Sequence, residues 1–99
     1  GSKIIAEDGT FLGRLGESYE TNSIYNGYSD HGNTYGQASI WNESSDFGNG
    51  YGNTSSFNSS ASKPPILLKN GKVIGKLTTN SYEYDGVDPR SLGDDCGWK

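Results

Sequence analysis

Three rings recur at equal intervals in this chain. Tyr25, Trp41 and Phe57 are each sixteen residues apart, each two after a serine (Ser23, Ser39, Ser55) and one before an asparagine (Asn26, Asn42, Asn58). Tyr35 and Tyr51 continue a second series that starts at Tyr19. Evenly spaced flat rings flanked by amides and hydroxyls suit carbohydrate, because rings stack on sugar C–H faces while Asn and Ser bond the hydroxyls. A periodic binding face would match a cell-wall or other polymeric glycan. The simpler reading makes these rings the interior, since so little else in the chain is apolar.

Other chemistry-bearing residues point less far. Asp30 and Asp46 sit one period apart and, with Asn33, Asn49 and carbonyls, could offer oxygens to calcium, which wants six to eight. The spacing matches neither an EF-hand loop nor a calcium β-roll, and aspartate as a turn former accounts for both positions. His31 is the only histidine and stands where the next copy has Phe47, so the position accepts an apolar ring. A zinc site would need three further ligands. Glu17 and Glu43 are the carboxylates a glycosidase pair would use, but nothing fixes their separation. No Gly-x-Ser-x-Gly elbow marks a nucleophile among the serines. The expected protein is not an enzyme.

The elements that position these residues follow from the period. Tyr19, Tyr35 and Tyr51 open three copies, and Ser29-Asp30-His31-Gly32-Asn33 matches Ser45-Asp46-Phe47-Gly48-Asn49. The third copy is weaker, with Ser56 where the others have Ile24 and Ile40. Apolar residues are too sparse for an amphipathic helix, and Asn22-Ser23-Ile24-Tyr25-Asn26 reads as one capped turn. Flanking the copies are two similar hairpins, about 4–15 and 66–77, with Asp8-Gly9 and Asn70-Gly71 at their tips. Both dipeptides suit a type I′ turn. Lys63-Pro64-Pro65 closes the third copy with an extended entry to the second hairpin. Beyond it, Tyr82-Glu83-Tyr84-Asp85-Gly86-Val87 echoes Tyr19-Glu20-Thr21-Asn22-Ser23-Ile24 with one residue inserted.

Composition sets limits. Ninety-nine residues make one small domain, of which 30% are hydrophobic and none methionine. Such a chain buries roughly 60–70% of its unfolded surface and has a thin stability margin. The twelve aromatics predict a tyrosine-dominated core rather than an aliphatic one. Lysine and arginine are absent from residues 15–62, and the net charge is −4. That balance argues against nucleic acid and against a basic membrane-surface helix. No run of apolar residues is long enough for membrane insertion as a spanning helix. Cys96 is the single cysteine and cannot staple the fold within one chain; with Trp98 it belongs to a tail over 89–99.

The tandem Tyr-x-x-x-Ser-Ile-x-Asn copies, with the flanking segments Gly9-Thr10-Phe11-Leu12-Gly13-Arg14-Leu15 and Gly71-Lys72-Val73-Ile74-Gly75-Lys76-Leu77, carry a resemblance. Over about residues 4–88 the chain resembles an uncharacterised family of small bacterial exported proteins. It departs from that pattern in its turns, where relatives often have Tyr-Gly-x-Tyr-Gly and this chain has Asp-His-Gly-Asn and Asp-Phe-Gly-Asn. The resemblance implies a secreted, periplasmic or cell-surface location. Gly1-Ser2 looks like a cloning remnant, so an export signal is expected to have been removed.

The expected architecture is therefore a mainly β single domain over 1–99. Two hairpins pair or pack together, three Gly/Ser/Asn-rich copies over 19–62 form short capped turns, and a degenerate copy starts at 82–88. A short repeat solenoid is the competing arrangement. The expected function is a non-catalytic exported protein with a structural or adhesive role at the cell envelope. The alternatives are a glycan or cell-wall binding module and a calcium-supported repeat module.

Overall fold

A computed structural model describes residues 2–80 and 82–90; Cys96 and Trp98 lie outside the described residues. Among the described residues, five strands form one mixed sheet: β1 (Lys3–Ile5), β2 (Phe11–Arg14), β3 (Ile66–Lys69), β4 (Lys72–Leu77) and β5 (Gly86–Val87). Their order across the sheet is β2-β1-β3-β4-β5. Among the described residues there is no α-helix, and no helix long and apolar enough to cross a membrane. The chain is mainly β, as its two similar Gly-tipped hairpin segments predict.

The two hairpins join through their first strands. β1 and β3 pair antiparallel, Ile4 facing Leu67 and Ile5 facing Ile66. A lone two-stranded hairpin is marginal in water, and this pairing gives each a neighbour on the side its own turn leaves open. Both hairpins carry the same irregularity. The register slips between Ile4 and Ile5 opposite Gly13 and Phe11, and between Leu67 and Leu68 opposite Gly75 and Val73. Leu12 and Ile74 are thus the extra residues of matching bulges, and the buried Ile4 and Leu67 each face a glycine.

The tips differ. Asn70 (φ 53°) and Gly71 (φ 79°) are both left-handed, as a type I′ turn requires. Asp8-Gly9 corrects the expectation. Of the pair only Gly9 has positive φ (91°), while the Gly9 N–H donates to the Ala6 carbonyl and the Ala6 N–H to that of Thr10, both at 2.9 Å. This is a type I turn followed by a left-handed glycine, one residue longer than the second tip. Asp8 Oδ1 accepts the Thr10 N–H at 2.9 Å, a bond that suits the ordinary backbone conformation of Asp8.

The echo between residues 19–24 and 82–87 has a structural counterpart. After β2 the chain returns so that the Arg14 N–H donates to the Asn22 carbonyl (2.8 Å), with Arg14 and Ser23 in a parallel bridge. After β4 the Lys76 N–H donates to the Asp85 carbonyl (2.9 Å), and β5 pairs parallel to β4.

The core is aliphatic. Among the described residues, Ile4, Leu12, Leu15, Ile24, Ile40, Leu67 and Leu77 are the large hydrophobic residues fully buried, with Ala6 beside them. The tyrosine-dominated interior is therefore not what forms. Ile24 and Ile40, one in each of the first two copies, reach the sheet-borne core, and each such burial contributes roughly 1.5–3 kcal/mol. Aliphatic chains leave no polar tip to satisfy, whereas a fully buried tyrosine needs a partner for its hydroxyl.

Candidate functional site

Residues 16–62 contain no strand, and a recurring set of side-chain bonds organises them. Ser23, Ser39 and Ser55 are fully buried, and their Oγ atoms accept the N–H of the ring two residues on: Tyr25 at 3.0, Trp41 at 3.2 and Phe57 at 3.1 Å. Each following asparagine braces two stretches of chain. The Nδ2 groups of Asn26, Asn42 and Asn58 donate to the carbonyls of Glu20, Gly36 and Gly52 at 2.9, 2.9 and 3.0 Å. Their Oδ1 atoms accept the N–H of Tyr28, Ser44 and Ser60 at 3.0, 2.9 and 3.0 Å. Short polar side chains thus satisfy backbone groups that a strand ladder would otherwise pair.

The frame stacks the three sequence-predicted rings. Tyr25 and Trp41 lie 6.3 Å apart between ring centroids, Trp41 and Phe57 5.4 Å, with both pairs tilted. Such pairs contribute about 0.5–1.5 kcal/mol beyond their burial. All three are half-buried at the margin of the aliphatic core, between the expected alternatives of interior and open face. The Trp41 indole N–H donates to the Ile24 carbonyl at 2.6 Å, which fixes the ring. The Tyr25 hydroxyl donates to the Pro89 carbonyl at 2.9 Å. Burial, with a smaller contribution from the charge of Asp88, pushes the Tyr25 phenol up to about 12. Asp88 is itself held below the usual carboxylate range, chiefly by its hydrogen bond from Arg90.

Of the five candidate ligand-binding residues, the structure brings three together. Trp41, Phe57 and Tyr51 line a groove of about 420 Å³, with Ile40 and Gly48 in its wall and Glu43 beside them. Tyr35 adjoins Trp41, Asn42 and Glu43 in a neighbouring depression. Tyr25 lines neither; it stands at the far end of the ring stack.

The other candidates fall elsewhere. Asp30 and Asp46 are exposed on their turns, and the Asp46 carbonyl accepts the Thr54 hydroxyl at 3.2 Å. Among the described residues no three His, Cys, Asp or Glu side chains gather at metal-binding range. His31 packs edge-on against Phe11 at 5.0 Å, and its Nδ1 lies 2.9 Å from the Ala38 carbonyl. It also covers Gly13 (φ 114°), where a Cβ would crowd His31, Asn22 and Ile24.

One feature was missed from the sequence. Tyr19, Tyr28, Tyr35, Tyr51, Tyr82 and Tyr84 are each between 81 and 101% exposed. Four of them follow an asparagine by two residues, and their N–H groups donate to its Oδ1: Tyr28 at 3.0, Tyr35 at 2.8, Tyr51 at 2.8 and Tyr82 at 2.9 Å. The Asn-x-Tyr spacing at 26–28, 33–35, 49–51 and 80–82 was the legible signal, because an asparagine side chain that closes a turn presents the residue after next on its outside. Comparison with known protein families, curated proteins and solved structures finds no match to this chain.

Proposed function

We propose that this is a non-catalytic exported protein with a structural or adhesive role at the bacterial cell envelope. The observation that carries the reading is the outward display of six tyrosines, four of them on asparagine-closed turns. In a chain so poor in apolar residues, leaving six large rings in water forgoes burial that the fold would use. Six exposed rings supply contact area for a partner at the surface. A phenol serves adhesion well: its face makes apolar contact, its hydroxyl bonds polar groups, and few rotatable angles are lost on contact.

The calcium-supported alternative rests on Asp30 and Asp46, both exposed on their turns, and no observation favours it. The test is adsorption to purified cell envelopes by the intact protein and by a variant with Tyr19, Tyr28, Tyr82 and Tyr84 changed to serine. Because these side chains are exposed, the circular dichroism spectrum stays unchanged while retention falls severalfold. Equal retention by both proteins defeats the adhesive reading.

A further inference from the structure

The groove at Trp41 has the makings of a specific site rather than a generally sticky surface. Trp41 and Phe57 meet at an interplanar angle of 47° and form a concave apolar trough, with Tyr51 standing exposed on its rim. The trough is fixed before any ligand arrives. Trp41 is tied by its indole N–H to the Ile24 carbonyl and by its backbone N–H to Ser39 Oγ, and Phe57 by its backbone N–H to Ser55 Oγ. Rings held this way lose little freedom on binding. Glu43, exposed beside them, adds a carboxylate that can accept from ligand hydroxyls.

We propose that this groove binds a neutral, β-linked polysaccharide chain, one or two sugar units at a time; the proposal rests on the adhesive reading and names a ligand for one part of that surface. Three observations select the class. Tilted aromatic planes fit the flat C–H faces that sugars with equatorial hydroxyls present, and a β-linked chain keeps those faces extended along its length. The volume, about 420 Å³, is within the range of small-ligand clefts. The groove is built from residues 40–57, inside an interval without lysine or arginine, and carries Glu43. An acidic polymer would find no cation there and would meet a carboxylate of its own sign.

Gly50 allows a test that spares the fold. It lines the groove, its backbone lies outside the left-handed region, and a Cβ there would meet no atom within 4 Å. Gly50→Leu therefore adds an apolar side chain at the groove wall, and its Cβ meets no atom of the frame. Titration calorimetry with cellohexaose, chitohexaose, maltohexaose and oligogalacturonate should show binding to one or both β-linked neutral chains and neither of the others. The preferred chain reveals whether an N-acetyl group is recognised. Gly50→Leu should weaken that binding at least about tenfold, and Glu43→Gln by a smaller factor. Failure of both β-linked chains to bind, or binding that Gly50→Leu leaves unaltered, overturns the proposal. Should Gly50→Leu not fold, chemical-shift changes in the unmodified protein decide: shifts centred on the Trp41 indole, Tyr51 and Phe57 uphold it, and shifts elsewhere reject it. Neither result touches envelope adsorption through Tyr19, Tyr28, Tyr82 and Tyr84, none of which lines the groove.

Discussion

The sheet and the segment between its hairpins solve one problem by different means. In the sheet, backbone groups pair with one another, and Ile4, Leu12, Leu67 and Leu77 exclude water beneath them. Between the hairpins, residues 16–62 include no strand, and successive backbone turns together with serine and asparagine side chains take the place of the missing strand partners. The first two copies then need little apolar material, one isoleucine and one ring each, to dock on the sheet, and the third has the ring alone. The difference teaches that sparse hydrophobicity with strict spacing can encode order. The hydrogen bonds are specified residue by residue, and the apolar burial is borrowed from the neighbouring sheet.

Mutations on either side of this division sharpen it. The largest effect is expected at the point of contact. Ile40→Ala removes a fully buried side chain that ties the second copy to the core, and should cost about 2–5 kcal/mol in urea unfolding. For a domain of this size that is a large part of a total of about 5–15 kcal/mol. A loss under about 1 kcal/mol would mean the middle segment does not depend on the sheet. Next comes Ser39→Ala, which strips the buried oxygen from the Trp41 N–H and should cost about 1–3 kcal/mol. If that change is neutral, serine is not acting as a substitute strand partner.

The two hairpin tips show where sequence was sufficient and where it was not. Asn70-Gly71 was legible because both residues tolerate the left-handed region and the loop closes in two. Asp8-Gly9 carries the same signal, yet one extra residue lets Asp8 keep ordinary backbone angles and bond Thr10 instead. Loop length, invisible until the strand register is known, chose between them. Gly71→Val should therefore cost at least about 1 kcal/mol in the same unfolding assay, the valine being strained at φ 79°.

In the middle segment the turn at Ser23–Asn26 and the three-ring series were readable from spacing. The identity of the core was not. Counting aromatics pointed to tyrosine, but what decides burial is whether a polar tip can be satisfied, and asparagine-closed turns send most phenols outward. The groove was half legible. Period alone grouped all five candidate residues, whereas the stack turns Tyr25 away toward Pro89 and leaves Trp41, Phe57 and Tyr51 around one opening.

Smaller effects test the weakest copy. Ser56 occupies the isoleucine position of the third copy, fully buried, with no partner for its hydroxyl among the described residues. Ser56→Ala should raise stability by about 1 kcal/mol, measured as a higher urea midpoint with unchanged slope. A loss would show that the hydroxyl is satisfied in solution. The least effect is a pH dependence. Tyr25 keeps its proton up to about 12 when folded, against an ordinary value of 10. Its contribution is full below pH 10 and is lost as pH rises through 12, so the thermal midpoint should fall across that window. Tyr25→Phe should remove that part of the decline; a decline of the same size in the variant would assign it elsewhere.

The most direct measurement is amide hydrogen exchange resolved by residue. The Tyr25, Trp41 and Phe57 N–H groups, each donated to a serine oxygen, and the Trp41 indole N–H should exchange far more slowly than an unstructured chain, with the last copy the least protected. Random-coil exchange at those four sites, beside protected amides in the β1–β3 pair, would contradict the account.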